Sequence, residues 1–130
     1  MTDSGTVVLK TSSGVGTIAF EHPSSNSLPG VLLSKIAACI DQAGQDSNCA
    51  VIVLKSGGNR AFCAGASFDE LIAIENKEQG LEFFRGLSEV ILASRRCPKF
   101  VVCSVQRKAV GGGVGIAAAA DYALATTHAA

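Results

Sequence analysis

Asn59-Arg60-Ala61-Phe62-Cys63-Ala64-Gly65-Ala66-Ser67 and Val110-Gly111-Gly112-Gly113-Val114-Gly115-Ile116-Ala117 are the two segments of this chain able to do chemistry through the backbone alone. Each follows an apolar, β-branched run, Val51 to Leu54 and Phe100 to Val105, and each opens into a helix-like stretch. Small residues let main-chain N–H groups approach a ligand without hindrance from a Cβ. A helix start adds unpaired amides and the positive end of the helix dipole. Two such strand-loop-helix units can aim two N–H groups at one oxygen, and this is how an oxyanion hole is built.

Rival readings of the second loop fail on spacing. Gly113-x-Gly115-x-x-Ala118 matches the weak form of a dinucleotide fingerprint, but it lies several residues past its strand. No acidic residue follows at the distance a ribose needs, and no Gly-Lys-Ser/Thr follows for a phosphate loop. His22 and His128 have no Ser or Cys partner at a recognisable spacing, so nucleophilic hydrolysis has no support.

The elements that must position the loops alternate. Thr6–Thr11 and Val15–Phe20 read as a hairpin across Ser12-Ser13-Gly14. Pro29 fits a first helical turn, and Val31, Leu32, Ile36, Ala37, Ile40 and Ala43 recur at helical spacing to about Gln45. The run Ala50–Lys55 predicts a strand buried on both faces, as in a parallel sheet. Ser67 is the expected N-cap of a helix beginning Phe68-Asp69-Glu70. A longer helix is expected over Glu78–Arg95 and ends at Pro98. A buried strand over Phe100–Val105, a small-residue helix to about Ala120 and a strand over Tyr122–Thr126 complete the order. Asp121 is expected to anchor the start of that last strand. This is an α/β pattern with right-handed crossovers, and residues 1–130 are expected to belong to a single domain.

Composition narrows the partners. Apolar residues make up 48%, charged residues 17%, and the mean hydropathy is +0.34. So apolar a small chain is expected to leave apolar surface facing a partner chain or a further segment. Net charge is zero and no basic patch stands out, which disfavours nucleic acid. No apolar run approaches the roughly 20 residues of a membrane span, and Met1-Thr2-Asp3-Ser4-Gly5 shows no secretory leader. Cys39, Cys49, Cys63, Cys97 and Cys103 share no metal-ligand spacing. They read as reduced, mostly buried thiols of a cytoplasmic protein. Cys63 lies beside the first loop, where a helix start can lower a thiol pKa, but packing among apolar neighbours is the expected role.

Taken together, the segments Asn59–Ala66, Val105–Gly113, Ala119-Ala120-Asp121-Tyr122 and the turn Asn26-Ser27-Leu28 resemble the crotonase superfamily, which includes enoyl-CoA hydratases and isomerases. The resemblance covers nearly the whole chain and the N-terminal half of a family member, which makes residues 1–130 the N-terminal part of that single domain. It implies a spiral of ββα turns that binds an acyl-CoA thioester. Coenzyme A would enter as part of the substrate, with no covalently bound cofactor and no metal. The oxyanion hole would use the backbone N–H groups of Ala66 and Gly112. Ala64, Gly65 and Ala66 would also contact the CoA adenine, and Gly111, Gly112 and Gly115 would line the substrate site. The resemblance further implies a trimer or hexamer of the complete protein.

Two departures, at Gly115 and Arg107, qualify what the resemblance implies. Hydratases of the family carry a Glu where this chain has Gly115, so the first of two catalytic carboxylates is absent, and the second is expected beyond Ala130. Dehalogenase-like members share the Gly-Gly-Gly-x-Gly run, but their nucleophile too would lie beyond it. Arg107 stands where a Gly is usual and would be strained by roughly 1 kcal/mol if that position needed a positive φ. Two functions follow: an enoyl-CoA hydratase/isomerase-type enzyme with its acid/base beyond residue 130, or a non-catalytic acyl-CoA-binding or oligomerisation module.

Overall fold

The computed structural model describes residues 5–130, so the reading of residues 1–4 lies outside the described residues. Strands β1 (Thr6–Ser12) and β2 (Val15–Glu21) form an antiparallel hairpin. Ser13 and Gly14 turn it with φ of 52° and 83°, the paired left-handed conformation that matches strand twist. From β2 onward the main sheet is parallel. Strands β4 (Val51–Ser56), β7 (Phe100–Val105) and β9 (Tyr122–Ala125) add in the order β1-β2-β4-β7-β9. Two small ladders branch from it: β3 (Ser27–Leu28) pairs with β6 (Gly65–Ala66), and β5 (Ala61–Cys63) pairs with β8 (Lys108–Ala109), both parallel.

Helix α1 (Gly30–Gln45) buries Leu32, Leu33, Ile36, Ala37, Ile40 and Ala43 in the core. Its start has no side-chain cap of its own. Instead Glu70 Oε1 accepts from Gly30 N at 2.9 Å, placing a carboxylate at the positive end of the helix. Its other end is closed by Lys99, whose Nζ donates to the carbonyls of Ala43 and Asp46. Helix α2 (Phe68–Ile72) starts as expected at Ser67, whose Oγ accepts from Glu70 N at 3.3 Å. Helix α3 (Lys77–Arg96) is capped by Asn76 and packs alongside α1. Helix α4 (Gly112–Ala119) packs against α3. Asp121 does anchor the last strand: its Oδ2 accepts from Val101 N at 2.8 Å, and its own N–H donates to Val101 O at 2.9 Å.

One expectation is corrected. In β4, Ile52, Leu54 and Ser56 are buried, but Val51 and Val53 are half-buried and Lys55 is exposed. Strand β7 alternates in the same way. Rows Gly16–Ile52–Val101 and Ile18–Leu54–Cys103 face the helices. The opposite face of the sheet stays open among the described residues, with Tyr122 and Leu124 more than half exposed. The continuous β-branched run hid this alternation, because Val51 and Val53 are as apolar as the residues between them. The apolar surface expected from the composition lies partly here.

Candidate functional site

The two loops meet. Strand β6 ends the first loop, and its partner β3 takes hydrogen bonds from Ala64 N to Asn26 O (3.0 Å) and from Ser67 N to Leu28 O (2.9 Å). Ala64 N and Ser67 N are thus both taken by residues 26–28, and α4 packs against β6. Gly65 has φ +92°, and a Cβ there would lie 3.1 Å from Gly112 N and 3.4 Å from Val110 O. Only glycine lets the two backbones approach so closely. Gly112 is the first residue of α4, where an amide has no intrahelical acceptor. The turn into α4 is made at Gly111, with φ 57°. Val110 N donates to Cys63 O at 3.0 Å, and Gly113 packs so closely on that carbonyl that a Cβ would sit 2.2 Å from it. Ala64, Gly65, Ala66, Gly111 and Gly112 therefore belong to one cluster. Gly115 lies one turn into α4, its missing Cβ facing Ile91 Cδ1 at 3.3 Å.

The remaining polar residues hold structure. Glu70 borders an open groove of about 700 Å³ with Val31, Ile74, Glu82 and Phe83, while its carboxylate caps α1. Asp121 is committed to β7. Arg107 is not among the non-glycine residues with positive φ, which are Ser13, Ser25 and Asn26, so the strain considered for it does not arise. From sequence, Asn26 is a turn residue and nothing more. Its side chain is buried and hydrogen-bonds four backbone groups around the first loop. The signal was a lone Asn in a Pro-Ser-Ser-Asn-Ser loop, the residue type that best tolerates φ > 0.

Cys63 is fully buried between the loops. Burial pushes its thiol up to about 11, and the hydrogen bond from Gly65 N opposes this only in part. Cys103 is pushed up to about 12, first by burial and then by Cys63. A raised pKa favours the neutral thiol, so the lowering that a nearby helix start can produce is overcome. At pH 8 a disulfide-exchange reagent should label half-buried Cys97 first and leave Cys63 and Cys103 untouched until urea unfolds the chain. Peptide mapping of the labelled protein checks this, and early modification of Cys63 would show a thiol open to solvent.

This arrangement has relatives. The family model for enoyl-CoA hydratase/isomerase matches residues 10–130. The chain belongs to the enoyl-CoA hydratase/isomerase family. Among curated members, it is 31% identical to the mitochondrial enoyl-CoA hydratase domain-containing protein 2 of Bos taurus, over 89% of this chain and 39% of that protein. It is 28% identical to the (7aS)-7a-methyl-1,5-dioxo-2,3,5,6,7,7a-hexahydro-1H-indene-carboxyl-CoA hydrolase of Rhodococcus jostii (strain RHA1), over 89% of this chain and 45% of that one. The crystal structure of an enoyl-CoA hydratase from Mycobacterium smegmatis superposes with a TM-score of 0.87 at 28% identity, covering 95% of this chain and 48% of that chain. The fold is thus the α/β crotonase-like spiral that the resemblance implied. The chain spans about half the length of the family members it matches. No helix among the described residues is long and apolar enough to cross a membrane.

Proposed function

We propose that this chain carries the thioester-binding half of an acyl-CoA enzyme of the hydratase/isomerase type, in which the amides of Ala66 and Gly112 form an oxyanion hole. The observation that carries the reading is the contact of the two loops through Gly65. It brings β6 and the first residue of α4 together, as a hole built from Ala66 N and Gly112 N would require. Charge developing on the thioester oxygen as an enolate forms would be met by donors already fixed, where preorganised dipoles are worth most. The acyl-CoA thioester is the substrate, coenzyme A its handle, and Ala64–Ala66 the contact for the adenine. The proton-transferring carboxylate would come from beyond residue 130 in the whole protein, because Glu70 and Asp121 are committed to structural bonds. A trimeric or hexameric whole protein in the cytoplasm completes the proposal.

A second reading, a non-catalytic acyl-CoA-binding or oligomerisation module, is favoured by Gly115, which leaves the position of the first hydratase carboxylate without a side chain. A thioester with a dimethylaminocinnamoyl group tests the binding claim common to the enzyme and an acyl-CoA-binding module, because its absorption moves to the red when its carbonyl is polarised. The chain should bind it saturably and shift its band. Binding with no shift would remove the oxyanion hole, and no binding would remove the thioester site. Hydration or isomerisation of enoyl-CoA thioesters by the whole protein then separates the enzyme from the binding module.

A further inference from the structure

We propose that Asn26 is a positioning residue for the Ala66 amide, an inference that rests on the oxyanion-hole reading and assigns what holds its first donor in place. Asn26 is 3% exposed and has φ +59°. Its Nδ2 lies 3.0 Å from Gly57 O, 2.9 Å from Ala61 O and 3.2 Å from Phe62 O. Its Oδ1 accepts from His22 N at 2.6 Å. Its main-chain carbonyl accepts from Ala64 N at 3.0 Å, and its main-chain N–H donates to His22 O at 3.1 Å.

One residue thus binds the strand entering the first loop on both sides. Three carbonyls between Gly57 and Phe62 converge on a single NH₂ group and share its two N–H donors, since carbonyls accept and never donate. The neighbouring residues continue the clamp. Ser27 Oγ donates to Ala66 O at 3.1 Å, and Leu28 O takes Ser67 N. Asn26 thus pins the Cys63–Ala64 peptide, and Ser27 and Leu28 pin the Ala66–Ser67 peptide, so the short stretch through Gly65 that carries the Ala66 N–H is held at both ends. Asn26 touches no reacting atom in this scheme and acts through the loop.

Asn26→Gly isolates the side chain's part, because glycine keeps the positive φ without strain. The parent, Asn26→Gly and an Asp121→Ala control, each as the whole protein, are saturated with the dimethylaminocinnamoyl-CoA probe. Asp121→Ala loosens the β7–β9 junction, so it reports what lower stability alone does to the band. The parent and Asp121→Ala should show the same red shift. Asn26→Gly should still bind the probe but with the shift at least roughly halved, because a misdirected donor polarises the carbonyl less. A full shift in saturated Asn26→Gly, or an equal loss in Asp121→Ala, overturns the positioning role and leaves the oxyanion hole standing. A parent that binds without any shift overturns the oxyanion hole itself. If circular dichroism shows Asn26→Gly unfolded, Ser27→Ala, which removes only the bond to Ala66 O, carries the same test. A reduced shift supports the clamp, and an unchanged one rejects it.

Discussion

Gly113→Ala should lower the stability of the chain by about 3 kcal/mol, although it adds one methyl group. The new Cβ would stand 2.2 Å from Cys63 O and 2.8 Å from Cys63 C, both backbone atoms. No flexible side-chain end is there to swing away. That carbonyl is also fixed by Val110 N, so relief requires α4 to lift off β5, breaking this hydrogen bond and unseating Ile116 from the core. Gly111 provides the contrast. It is also in the second loop, but nothing lies within 4 Å of its missing Cβ, and only its φ of 57° resists substitution. Gly111→Ala therefore meets no clash and carries backbone strain alone, about 1–3 kcal/mol for a φ of 57° with a ψ of −126°. Urea unfolding of Gly113→Ala against the parent measures the cost of the clash. Equal midpoints would mean that α4 is not seated on the Cys63 carbonyl.

Gly112→Pro should cut turnover of an enoyl-CoA thioester by the whole protein on the order of 100-fold, the loss typical of one oxyanion donor. The position suits the experiment. Proline is favoured at the first residue of a helix, where its missing N–H has no intrahelical partner to lose. The substitution therefore deletes the donor while leaving α4 able to form. The obstacle is Leu87, whose Cδ1 would lie 2.2 Å from the new Cβ. Because that is the free end of a side chain, Leu87→Ala makes room. Leu87→Ala alone is the reference, and the double variant should fall on the order of 100-fold below it. Turnover equal to the reference would show that Gly112 N does not face the developing charge.

The sequence made the large elements plain because their signals are local or periodic. Helix α1 followed from its apolar spacing, the hairpin from Ser13-Gly14, and α2 from Ser67. The two-residue ladders β3–β6 and β5–β8 were not visible, since two residues carry no period. Yet these ladders are what press the loops together. Residues 64–66 and 111–112 stood out by their small size. What makes them one cluster, Gly65 lying against Gly112 N, is a contact between segments distant in the chain that no single segment announces. The caps of α1 are of the same kind. Glu70 and Lys99 come from outside the helix, so inspection of the helix alone finds none. Asn26 carried a weak signal, its tolerance of positive φ, and its convergence of carbonyls could be seen only in space.

The order β1-β2-β4-β7-β9 also bears on how the chain is made. Each strand of the main sheet joins the edge left by the strand before it, and none has to be inserted between two already paired. A chain emerging from the ribosome can lay the sheet down in the direction of synthesis, beginning with the fast local hairpin and adding one crossover at a time. Each parallel addition closes a long loop and is slow. Through every pause the growing edge is the newest strand and moves outward as translation proceeds, while β1 keeps the opposite edge from first to last.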